Sequence, residues 1–234
     1  MKLLLDIGNT AIKWRAENQG GRLSRDEAMP LPDLDESPDA VWVASVADAG
    51  FEQALAHAVV ERWQVQPWFA RSGSDACGVS NSYEEPGRMG VDRWLAMIAA
   101  FAEVRGACCV VDAGSALTID FLDISGCHRG GYILPGLAMM ERALLGDTAR
   151  VRFGESARDE MSPGTSTESA VFNGLQLAQV GAVATALDRF GEGGAIVFTG
   201  GDGEVAQRLL DRGGQFIESL VLDGLEILGS EVAS

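Results

Sequence analysis

Two acidic turns hold the residues best suited to chemistry. Asp6-Ile7-Gly8-Asn9-Thr10 closes one apolar run, and Asp112-Ala113-Gly114-Ser115 closes another 112 − 6 = 106 residues later. Each reads as a strand, an Asp-x-Gly turn with a hydroxyl, and a second alternating run. A strand ending this way sets a carboxylate beside bare backbone N–H groups, which suits a magnesium-bound phosphate. Gly8 and Gly114 let the chain approach phosphate, Thr10 and Ser115 supply hydroxyl donors, and Asp6 and Asp112 hold cations. The plainer alternative is a pair of strand-ending turns without a ligand, because Asp, Asn and Gly favour such turns. Two copies half a chain apart favour phosphate, with two similar halves facing one nucleotide.

A third group, Gly90-Val91-Asp92-Arg93, ends a long polar segment over 71–93. A carboxylate with a nearby guanidinium suits a hydroxyl acceptor: the carboxylate orients the hydroxyl and takes its proton late, and Arg93 pairs with an anionic group. A free aspartate ionises near pH ~4, so its value lies in positioning more than in basicity. The same spacing also describes an exposed helix N-cap with a surface ion pair. Thr165-Ser-Thr-Glu168 is a capping-box pattern, and the helix start it marks offers free N–H groups to an anion. Gly200-Gly201-Asp202 fits a tight turn or a nucleotide-base contact. The chain contains no G-x-x-x-x-G-K-(S/T) phosphate loop, no G-x-G-x-x-G turn and no G-x-S-x-G elbow, which argues against P-loop kinases, Rossmann dehydrogenases and α/β-hydrolases.

The elements that must position these residues follow from apolar periodicity. Strands are expected at 2–6, 11–16 and 41–46, with turns at Gly8-Asn9 and Gly20-Gly21. Phe51, Leu55, Val59 and Trp63 step by four, which predicts a helix over 51–63. A short strand at 65–70 precedes the polar segment, and a helix covers 94–104. The second half repeats the plan. Strands are expected at 107–112, 116–122 and 128–134, and a helix from Pro135-Gly136 to residue 145. A long helix follows to about residue 190, then a strand at 195–199, a helix at 204–211, a strand at 215–217 and a closing helix at 220–228. This order implies an α/β protein with mixed sheets flanked by helices. The halves are expected at 1–105 and 106–234.

The 234 residues, 47% hydrophobic and 22% charged, describe a globular chain. Its formal charge of 18 − 34 = −16 repels nucleic acid and anionic membranes at long range, so no nucleic-acid partner is expected. Cys77, Cys108, Cys109 and Cys127 form no C-x-x-C pair, and only His57 and His128 could join them, which argues against zinc. Cys108 and Cys109 read as buried strand thiols, in keeping with a reduced cytoplasm. The apolar core before Asp6 is too short for a signal peptide. The stretch Trp94–Ala102 is too short for a membrane span. A cytoplasmic protein without a membrane partner is expected.

In these motifs the chain resembles type III pantothenate kinases, of the acetate kinase/sugar kinase/Hsp70/actin superfamily. The likeness rests on Asp6 to Thr10, Tyr83, Pro86-Gly-Arg-Met-Gly-Val-Asp-Arg93, Asp112 to Asp120, Gly130 to Gly136, and Thr167 to Gly174. It implies duplicated ribonuclease-H-like (actin-like) domains with ATP in the interdomain cleft, and phosphorylation of the terminal hydroxyl of pantothenate, the first step of coenzyme A synthesis. By that resemblance Asp6, Ile7, Gly8, Asn9, Thr10, Ala11, Ile12 and Lys13 contact ATP, with Asp6 near Mg²⁺, and Ser115 touches ATP. Asp92 is the catalytic base. Tyr83, Gly90, Val91, Asp92, Arg93 and Thr167 hold pantothenate, and Asp112 binds a monovalent cation. The resemblance further implies a homodimer that needs Mg²⁺ or a similar divalent ion and K⁺ or NH₄⁺. Ser115 stands where many members carry Thr, and it keeps the hydroxyl. A non-catalytic regulatory protein on the same fold and another small-molecule kinase of the superfamily are the competing readings.

Overall fold

The computed structural model describes residues 1–25, 29–146, 160–190 and 193–233. The chain divides into two compact units, Met1–Glu103 with Ser219–Ser234, and Val104–Glu218. In the first, β1 (Lys2–Ile7), β2 (Ala11–Ala16) and β3 (Gln19–Ser24) form an antiparallel meander. β4 (Ala40–Ser45) pairs parallel to β1, α1 (Ala49–Trp63) crosses over, and β5 (Trp68–Phe69) pairs parallel to β4. The strand order is β3-β2-β1-β4-β5. A small hairpin, β6 (Asp75–Ala76) and β7 (Val79–Ser80), then leads through a 3₁₀ turn to α2 (Val91–Val104).

The second unit repeats the topology. β8 (Cys108–Ala113), β9 (Ala116–Leu122) and β10 (His128–Pro135) form the meander. After α3 (Leu137–Gly146) and α4 (Thr167–Phe190), β11 (Ala195–Thr199) pairs parallel to β8. α5 (Gly203–Leu210) leads to β12 (Gln215–Phe216), and the order is β10-β9-β8-β11-β12. Identical strand order in both units bears out the two similar halves expected from the paired motifs and the duplicated ribonuclease-H-like plan that the resemblance implies.

Alternation along the central strands decides which face is core. Leu3, Leu5 and Ile7 of β1 and Val41 and Val43 of β4 pack on Leu55 and Val59 of α1. The expected four-residue step of α1 is therefore its buried stripe. In the second unit Cys109, Val111 and Ala113 join Leu117, Ile119 and Phe121 against Val180, Val183 and Ala186 of α4. α4 is long and apolar enough, by length and composition, to cross a membrane; three of its apolar residues are accounted for by this core. Cys108 and Cys109 are buried as expected. Burial pushes the Cys108 thiol up to about 11 and that of Cys109 higher still, so both stay protonated at neutral pH.

Three expected elements differ. β3 replaces the expected Gly20-Gly21 turn; the hairpin turns earlier, where Glu17 has φ 47°. Gly21 pairs with Trp14, and the indole lies across it, filling the space a Cβ would need. The true counterpart of β10 is thus β3, while the strand expected at 41–46 matches β11. α2 begins at Val91 rather than Trp94, because the Trp94 N–H already donates to the Gly90 carbonyl at 3.1 Å.

The closing helix α6 (Leu220–Val232), expected with the second half, packs with β1 and β4. Arg15 of β2 holds it through Asp223 at 2.6 Å and Glu226 at 3.0 Å. Gly224 lies against the Leu95 carbonyl of α2, with no room for a Cβ. Gly224→Ala should cost about 1–3 kcal/mol through overpacking, measured as a lower urea midpoint at unchanged slope. An unchanged midpoint would contradict this helix contact.

Candidate active site

The first acidic turn sits at the carboxyl end of β1, the edge where open α/β sheets bind ligands. Asp6 is half-buried and lies opposite Lys13 on β2, with Ala44 of β4 on its other side. The Gly8 N–H donates to the Ala11 carbonyl at 3.0 Å, which tightens the turn and leaves Asn9 and Thr10 exposed. Ile7 and Ile12 are fully buried in the core, so only their backbone can face a ligand. Arg25, which no sequence motif marks, donates from Nη1 to the Gly8 carbonyl at 2.9 Å, and its guanidinium stacks on Phe51. It places a second cation beside Lys13 at this turn.

The polar segment before α2 is built, not loose. Its residues Tyr83, Gly90, Asp92 and Arg93 come together at the start of the helix. Arg93 is only 6% exposed. Its Nη1 donates to the Tyr83 hydroxyl at 2.7 Å, and its guanidinium lies 5.7 Å from that ring's centroid. Asp92 stands in the first turn of α2, where the helix dipole favours negative charge. Its Oδ1 accepts the Arg93 N–H at 2.8 Å and lies close over Gly90. The carboxylate and the guanidinium, adjacent in sequence, thus serve different partners. Val91 is buried, which points the exposed edge of this turn through Gly90 and Asp92.

The second acidic turn is shorter. Residues 8–11 lie between the paired Ile7 and Ile12, whereas residues 114–116 lie between the paired Ala113 and Leu117. The Gly114 N–H accordingly closes on the Ala116 carbonyl at 3.0 Å. Thr118, rather than a cation, lies opposite Asp112, and Thr199 of β11 flanks it on the other side. Two glycines press on this turn. Gly136 donates its N–H to the Ser115 carbonyl at 3.2 Å, and Gly200 (φ +89°) leaves no space for a Cβ beside the Asp112 carboxylate and Ala113 carbonyl. The Asp202 N–H donates to that same carbonyl at 2.9 Å. The Gly200-Gly201-Asp202 turn is therefore part of the Asp112 site. Behind it, on β9 and β10, the Asp120 carboxylate meets His128 Nε2 at 3.0 Å, both side chains buried.

Thr167 opens α4 in the second unit and is exposed. The helix cap is one residue later than the expected Thr165–Glu168 box. Ser166 Oγ accepts the Ser169 N–H at 3.1 Å, and Ser169 Oγ accepts the Ser166 N–H at 3.0 Å. A serine at N3 does here what a glutamate does in the usual box.

Among the described residues no three His, Cys, Asp or Glu side chains converge on a metal position. Asp6 and Asp112 each bring one carboxylate to a turn rich in backbone oxygen and nitrogen. That donor set fits a hard cation that keeps waters or shares phosphate oxygens, and it does not fit zinc.

The profile of the family described as Type III pantothenate kinase matches residues 2–189. The chain belongs to that family. A type III pantothenate kinase of Marinobacter nauticus is 39% identical over 242 aligned residues, covering 98% of both chains. Among solved structures, a conserved putative Baf family transcriptional activator from Campylobacter jejuni covers 99% of this chain and 98% of its own, with TM-score 0.68 and 22% identity. A putative 2-dehydro-3-deoxygalactonokinase from Sinorhizobium meliloti covers 99% of both, with TM-score 0.57 and 12% identity. These likenesses show the duplicated actin-like fold. As a type III pantothenate kinase the chain is an ATP-using enzyme.

Gly200→Ala should strain a left-handed position and push the Asp112 turn out of place, costing about 1–3 kcal/mol. The expected readout is a lower denaturation midpoint together with weaker ATP binding by calorimetry. Unaltered nucleotide affinity would separate this turn from the ATP site.

Proposed function

We propose that this chain transfers the terminal phosphoryl group of ATP to the terminal hydroxyl of pantothenate, giving 4'-phosphopantothenate in the first step of coenzyme A synthesis. The observation that carries this reading is the Asp92–Arg93–Tyr83 cluster at the start of α2 in a chain of this family. Phosphoryl transfer calls on the protein mainly for positioning and charge stabilisation. The backbone of Asp6 to Lys13, with the Thr10 hydroxyl and the Lys13 and Arg25 cations, holds the triphosphate. Ser115 donates to the nucleotide. Asp92 accepts a hydrogen bond from the acceptor hydroxyl and takes its proton as the oxygen bonds to phosphorus and ADP leaves. Arg93, positioned by Tyr83, pairs with the pantothenate carboxylate, and Gly90, Val91 and Thr167 complete the acceptor contacts.

Mg²⁺ or a similar divalent ion, near Asp6, neutralises triphosphate charge when bound. The Asp112 carboxylate, with the carbonyls crowded around its turn, suits K⁺ or NH₄⁺. We further propose a cytoplasmic homodimer. Its interface is a cleft of about 710 Å³ between β10 and α4, edged by Tyr132, Ile133 and Leu177. Ile133 is 63% and Leu177 57% exposed, which is costly for large apolar side chains left in water.

A coupled assay with Mg²⁺ and K⁺ should show ADP release that depends on pantothenate within a panel of hydroxyl acceptors. Acceptor-independent hydrolysis, or no turnover, would overturn the assignment. Asp92→Asn should lower kcat by about 100-fold or more while ATP affinity stays within about twofold. Leu177→Asp should halve the sedimenting mass by placing a charge in the apolar interface; an unchanged mass would place the interface elsewhere.

A further inference from the structure

The segment from Arg71 to Gly90 carries Tyr83, whose hydroxyl receives the Arg93 guanidinium, yet its two hairpin strands are only two residues each. So short a hairpin holds no shape by itself. One side chain braces it at three points. Asn81 Nδ2 donates to the Gly73 carbonyl at 3.1 Å and to the Pro86 carbonyl at 3.3 Å, while Oδ1 accepts the Tyr83 N–H at 3.0 Å. Its own N–H donates to the Ser74 carbonyl at 2.8 Å. The residue thus ties the entry of the segment, its exit and the Tyr83 backbone to one point. A second strut, Ser72 Oγ to the Met89 carbonyl at 2.9 Å, closes the base without reaching Tyr83.

We infer that Asn81 is a positioning residue for acceptor recognition: by fixing the Tyr83 backbone it fixes the hydroxyl that holds the Arg93 guanidinium. Both amide ends are needed. Nδ2 is aimed at two carbonyl oxygens, so a carboxylate there would repel them; Oδ1 forms an Asx-turn with the residue two positions on. A guanidinium can point its fork at a carboxylate only if its other donors are held in place, and Tyr83 holds one of them. This inference rests on the assignment of the Arg93 cluster to the pantothenate carboxylate.

The test compares Asn81→Ala, Asn81→Asp and Asn81→Ser with the wild type and with Ser72→Ala. In steady-state assays varying each substrate, Asn81→Ala should raise the pantothenate KM by about tenfold and leave the ATP KM within about twofold. Asn81→Asp should be at least as impaired, despite keeping an oxygen for the Tyr83 N–H. Ser72→Ala should raise the pantothenate KM less than any Asn81 variant. Should Asn81→Ala fail to fold, Asn81→Ser and Asn81→Asp carry the same comparison. Hydrogen exchange on the substrate-free protein gives an independent readout, with the Tyr83 amide losing protection in Asn81→Ala, which removes its acceptor. A pantothenate KM within about twofold of wild type, both KM values rising in proportion, or a Tyr83 amide that stays protected in Asn81→Ala would overturn the inference. Absence of pantothenate turnover in the wild type would instead overturn the proposed reaction, while the exchange result would still decide whether Asn81 braces the segment.

Discussion

Parallel pairing of the first and fourth strands is the constraint on which both units depend. Parallel neighbours need a crossover connection, so their carboxyl ends open at the same edge. β1 and β4 share such an edge, as do β8 and β11. The aspartate ending the first strand of each pair is thereby met by the chain leaving the second. In each unit the residue after the aspartate accepts a bond from the chain leaving the parallel strand: the Val46 N–H reaches the Ile7 carbonyl at 3.2 Å, and the Asp202 N–H, one register position further on, reaches the Ala113 carbonyl at 2.9 Å. The duplication thus repeats the acceptor while the donor shifts by one residue.

From that common plan the two turns have diverged chemically. The first keeps the longer loop, and Lys13 and Arg25 lie beside it, which suits a highly charged triphosphate. The second is shorter, faces Thr118 and Thr199, and is crowded by Gly136 and Gly200, which suits a weakly hydrated cation held among oxygens. Among the described residues, only the first unit carries such a braced segment, before α2. There the difficulty is burying a guanidinium, which is tolerable only with fixed hydrogen-bond partners. Tyr83 is one such partner.

Much of this was legible in the sequence because it is local. Asp6 and Asp112 announce themselves by closing apolar runs, and the stripe of α1 by its four-residue step. What stayed hidden depended on particular side-chain contacts that composition does not announce. Gly20-Gly21 has the composition of a turn, and its antiparallel pairing with Arg15 and Trp14 of β2 makes it a strand. The cap of α4 moved by one residue because Ser166 and Ser169 bond reciprocally, in competition with the Thr165–Glu168 pattern. Asn81 followed by Tyr83 had the spacing of an Asx-turn, but its bonds to Gly73 and Pro86 have no signature in sequence. Arg25 carries no motif at all; its meaning comes from the Gly8 carbonyl that β3 brings within reach.

The placement of α6 has a consequence for how the chain reaches its native state. The helix that packs on β1 and β4 is encoded after the whole second unit, so the first unit is discontinuous in sequence. During synthesis from the amino terminus, β1 to α2 leave the ribosome without the surface that covers them, while Val104–Glu218 is a continuous stretch able to fold as it emerges. The unit translated first is therefore the one completed last. Until Leu220–Val232 arrives, the Trp42 ring and the Leu95 backbone lack the cover that Gly229 and Gly224 provide.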